Sequence, residues 1–71
     1  MKPSTLRVGQ LVKIVSSVDG KRRDATVVEL GNRGGNSFVF RVPDFAGLDG
    51  PDDKGLCSMR HHDVCKRVLS K

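Results

Sequence analysis

The segment "GLCSMRHHDVCKRVLSK", Gly55 to Lys71, sets two histidines between two cysteines, with nine residues from Cys57 to Cys65. Such residues ligate soft metals, form disulfides, or pair a thiolate nucleophile with an imidazole base. The spacing is Cys57-x3-His61-His62-x2-Cys65. A structural zinc site takes four ligands, usually from two separate knuckles. Here all four would come from one segment, and adjacent histidines on extended backbone point to different sides. Cys57, His61, His62 and Cys65 therefore stand only as an alternative ligand set; no metal and no cofactor is expected. A regular hairpin would set Cys57 opposite Cys65, about 4.5–5.5 Å apart at Cα and within disulfide reach. A 3-10 turn between the strands would rotate them apart. A catalytic Cys–His pair needs a pocket, and a barrel this small, filled by its own side chains, has little room for one. The expectation is that both cysteines are small buried hydrophobes. Both histidines then lie on a surface turn, within reach of a phosphate at most, and the chain is not an enzyme.

Charge points elsewhere. Thirteen Lys and Arg against eight Asp and Glu leave a net +5. Residues 1–41 hold eight cations against Asp19, Asp24 and Glu29, whereas residues 42–71 hold five of each sign. A basic face suits a polyanion, most often nucleic acid; a charge of this size also serves solubility alone. The candidate phosphate anchors are Lys21, Arg22 and Arg23 in "GKRRD", Arg33 in "GNRGG", and Lys13 and Arg41 at strand positions able to face outward. They would grip phosphates without reading sequence. The chain has no Trp and no Tyr, and of its three Phe, Phe38 and Phe40 are expected in the core. Base stacking is therefore limited, and binding to DNA or RNA would be electrostatic and steeply salt-dependent. The single "RGG" reads as a glycine hairpin, and "GK" at Gly20–Lys21 lacks the flanking residues of a phosphate loop.

The loop "DFAGLDGPDDKG" carries Asp44, Asp49, Asp52 and Asp53 without the spacing of a calcium loop. Phe45 and Leu48 within it either tuck onto the body of the domain or form a sticky tip. They, or a strand edge, are the alternative interface, for a protein partner or a second copy.

The elements that must position these residues are strands. Period-2 alternation recurs between turn signals, and helical periodicity is nearly absent. Strands are expected at 11–16, 25–30, 37–42, 56–60 and 65–69. Asp19-Gly20 marks a turn and "GNRGGNS" a hairpin. Val12 and Ile14 share one face, as do Phe38, Phe40 and Val42. "HHDV" has room for one 3-10 turn, and residues 1–7 read as a flexible lead-in to a single domain over 1–71. No apolar run approaches the ~20 residues of a membrane span. With no secretory leader visible, the chain is expected to be cytoplasmic, its thiols reduced and no membrane its partner.

Five short strands must curl or close to hide their edges. The order of strand, long loop, hairpin, hairpin, one-turn helix and strand resembles the SH3-like small barrel. The stretch "VGQLVKIV" is similar to the G-x-x-V-x-V opening of its KOW-type members, and "DATVVEL" to their second strand, a likeness over residues 8–30. Asp24 and Ala25 stand where KOW motifs keep a glycine. The resemblance implies an all-β, five-stranded SH3-like barrel with a 3-10 turn before its last strand, and RNA binding among its functions. An OB-fold would place a helix between its third and fourth strands, where "AGLDGPDDKG" is a poor helix former.

Overall fold

Residues 2–16, 19–47, 50–52 and 54–70 are described by the structure, a computed structural model. The expected alternation is what it buries. In β1 (Leu11–Val15) Val12 and Ile14 face inward; in β2 (Arg22–Glu29) Ala25 and Val27 do so. β3 (Phe38–Arg41) turns in Phe38 and Phe40, and β4 (Leu56–Met59) turns in Met59. After β4 come a short helix, α1 (His61–Arg67), and β5 (Val68–Ser70). The strands form one antiparallel sheet in the order β4-β3-β2-β1-β5. Among the described residues the molecule is thus mostly β with one α-helix, and its sheet is open, with β4 and β5 as the edges. Leu6, Val42, Val64 and Val68 complete the core with the inward strand residues.

Two glycines make the close approaches. Gly55 has φ +74°, and a Cβ there would stand 2.3 Å from the Val42 carbonyl oxygen. That proximity lets the Gly55 carbonyl accept the Val42 N–H at 2.8 Å, just before β4 begins. At Gly31 a Cβ would meet Asn36 O at 2.3 Å and Phe38 Cδ1 at 2.8 Å, so the base of the β2–β3 hairpin admits no side chain. A register shift between Val27 and Glu29 marks a bulge in β2 as it enters that hairpin.

Four expectations change. The 3-10 turn at "HHDV" is a seven-residue α-helix that absorbs Cys65, so the last strand begins at Val68. Cys65 is exposed and Cys57 half-buried against the core, so the two thiols do not line the interior. β2 starts three residues early and takes Arg22 and Arg23 out of the loop into the ladder with β1. Finally, residues 3–5 form a 3-10 turn in which Pro3 is buried, and Leu6 joins the core at 4% exposure. A fully loose lead-in would leave both in water.

Helix α1 is too short to hold by itself. Asp63 in its first turn and Lys66 and Arg67 in its last suit the helix dipole. Its one buried residue is Val64, and Arg67 Nε donates to the Val15 carbonyl at 2.9 Å, tying the helix end to β1.

Candidate nucleic-acid interface

Of the six cations expected to meet phosphate, two are already engaged. Lys13 Nζ lies 2.6 Å from Asp24, its cross-strand neighbour on the outer face of the sheet. Arg23 forms a two-pronged pair with Asp19, at 3.3 and 2.9 Å, and its guanidinium sits 5.1 Å from the centroid of the Phe45 ring. The Arg23 guanidinium holds the Asp19 carboxyl well below the usual carboxylate range, helped by the Lys21 backbone N–H. This clasp joins the β1–β2 turn to the 3-10 turn at Pro43–Phe45. Phe45 is therefore half-buried against the core rather than a sticky tip. Leu48, its expected companion, lies outside the described residues, as do Asp49 and Asp53 of the acidic loop.

Lys21 and Arg22 are exposed where β2 begins, and Arg41 is exposed on the outer face, opposite Thr26 and Leu56. Arg33 belongs to the far end. The eight residues of β2 put roughly 23 Å between its ends at ~3.3 Å per residue, in a molecule 32 Å along its longest axis. The six cations therefore do not form one patch.

Arg33 instead joins residues from the other half of the chain. The β2–β3 hairpin packs beside the segment leading into α1, and a cleft of about 250 Å3 opens between them. Asn32, Arg33 and Gly35 line it from the hairpin; Arg60, His61 and His62 line it from the β4–α1 junction. Two arginines and two histidines are thus among its lining residues, and no acidic residue is. Asn32 fixes the hairpin, because its Oδ1 accepts the Asn36 N–H at 3.3 Å. Arg60 is not among the cations expected from the sequence to meet a phosphate. The run Arg60-His61-His62 was the available signal, at the junction where strand gives way to helix. Pairing it with Arg33 required knowing which end of the sheet each loop occupies.

The alternative zinc ligands do not gather. Among the described residues, no three His, Cys, Asp or Glu side chains lie together as a metal site would need. Cys57 and Cys65 are not joined in a disulfide. Among the described residues, no helix is long and apolar enough to cross a membrane. Comparison with known proteins finds no match: no family model, no curated protein and no solved structure aligns with this chain.

Proposed function

We propose that this chain is a non-enzymatic nucleic-acid-binding module, built as an open variant of the SH3-like barrel. The strand order β4-β3-β2-β1-β5, with a short helical piece between β4 and β5, supports the architecture. The observation that carries the function is the cleft at the hairpin end. Arg33, Arg60, His61 and His62 line it with no acidic residue among the lining residues, on a chain whose net charge is +5. Guanidiniums suit phosphate because their planar fork donates two parallel hydrogen bonds. The cleft supplies the contacts; exposed Lys21, Arg22 and Arg41 add a longer-range field that raises the rate of encounter. Lys13 and Arg23 contribute least, each being held by an aspartate.

Binding measured by fluorescence anisotropy across a salt series tests this. The wild-type chain should bind DNA or RNA oligonucleotides at low salt and weaken steeply as salt rises. Each lost phosphate contact lowers the slope of log K against log salt by about 0.7 on a single strand. The double variant Arg33→Gln, Arg60→Gln should therefore flatten that slope by about 1.4. No detectable binding at low salt would remove the proposal.

A further inference from the structure

The basic cleft has a neighbour. A second depression, of about 220 Å3, shares Asn32, Arg33 and His61 with it and continues over Pro3, Gly31 and Phe38. The two differ in the residues that each adds to the shared ones. The first is cationic, with Arg60 and His62 added to the shared residues. The second adds Ser4, which is exposed, with Pro3 and Phe38, both buried and Phe38 only 3% exposed, and Gly31, bare backbone too close to its neighbours to admit a Cβ. At the junction stands Asn32. Its Oδ1 is taken by the Asn36 N–H, so its Nδ2 end carries the donors it has to offer.

An unpaired nucleotide has two unlike parts to seat in two adjoining depressions. It has a charged phosphate and a flat base, apolar on its faces and hydrogen-bonding along its edge. We propose that the joined depressions hold one unpaired nucleotide. Its phosphate lies among Arg33, Arg60, His61 and His62, its base seats in the second depression beside the bare backbone of Gly31, and Asn32 donates to an acceptor on the base edge. This rests on the nucleic-acid reading above and gives it a substrate class: single strands, or unpaired ends, rather than continuous duplex. A base inside a duplex is stacked and its pairing edge occupied, so entering the second depression would first cost its unstacking. The scarcity of aromatic side chains fits a pocket for a single nucleotide better than a stacking platform along a strand.

The test titrates the 15N-labelled full chain with uridine monophosphate and separately with inorganic phosphate, following backbone amide shifts. Oligouridine and a duplex of equal length are measured alongside by anisotropy. Uridine monophosphate should move the amides of Gly31, Asn32, Gly35, Phe38 and His61. It should bind about fivefold or more tightly than inorganic phosphate, the low end of what a base contact contributes. Oligouridine should outcompete the duplex, and Arg60→Gln, on an exposed side chain, should weaken both uridine ligands. Equal binding of uridine monophosphate and phosphate, equal binding of duplex and single strand, or shifts confined to the Lys21–Arg22 end would each overturn the pocket. Oligouridine binding that leaves the cleft amides unmoved removes the pocket alone. If no oligonucleotide binds at low salt, the pocket and the nucleic-acid reading fall together.

Discussion

Gly55 illustrates how one backbone position holds the far side of the sheet. It adopts φ +74° and approaches the Val42 carbonyl so closely that a methyl group would displace the chain. An L-residue in the left-handed region costs about 1–2 kcal/mol before any clash is counted. Gly55→Ala should therefore lose at least about 2 kcal/mol of stability in urea denaturation, a large share of what a domain this small holds. A loss under about 0.5 kcal/mol, the range of ordinary surface changes, would contradict that account. At this scale much was legible beforehand. Val12, Ile14, Phe38, Phe40 and Val42 are buried as their alternation implied. Less legible was the state of each cation. Nothing in the local order says that Lys13 meets Asp24 across a strand pair, or that Arg23 folds back on Asp19 and Phe45. Those contacts depend on register and on a turn that brings remote loops together.

At the scale of elements, the strands could be read because period 2 survives even in four or five residues. Helix α1 could not. It has seven residues, a single buried anchor and few strong helix formers, so its sequence carries no repeat to detect. What makes it a helix is tertiary: Val64 is fully buried, and Arg67 bonds to the backbone of β1. Val64→Ala should cost about 2 kcal/mol through lost burial and the cavity left behind. It should also speed hydrogen exchange along α1 more than in β2, because no second anchor from the helix reaches the core. Lys66→Ala, on the exposed side of the same helix, should stay within about 0.5 kcal/mol. Equal effects of the two substitutions would mean that the helix is not held by packing. The same reasoning explains Cys65. It lies within α1 on the side away from Val64, exposed to water.

Across the whole molecule, the excess charge is split between the two ends and the outer face of an elongated sheet. Composition alone suggested one basic half, because residues 1–41 hold most of the cations. The fold redistributes them: Lys21 and Arg22 stand at one end, Arg33 at the other, and Arg33 gains Arg60, His61 and His62 from the half that is neutral by count. Local convergence, rather than net charge, is what distinguishes a phosphate site from a solubilising surface. The most direct measurement compares two double variants that each remove two positive charges from the +5 chain: Arg33→Gln with Arg60→Gln, and Lys21→Gln with Arg22→Gln. Both are read as affinity for the same oligouridine at one moderate salt concentration. The cleft pair should lose about tenfold or more in affinity, since hydrogen bonds to charged groups are broken. The far pair should stay within about threefold, because screened charges beyond a Debye length act weakly. Equal losses in the two variants would contradict the account and leave the chain a diffuse polycation without a site.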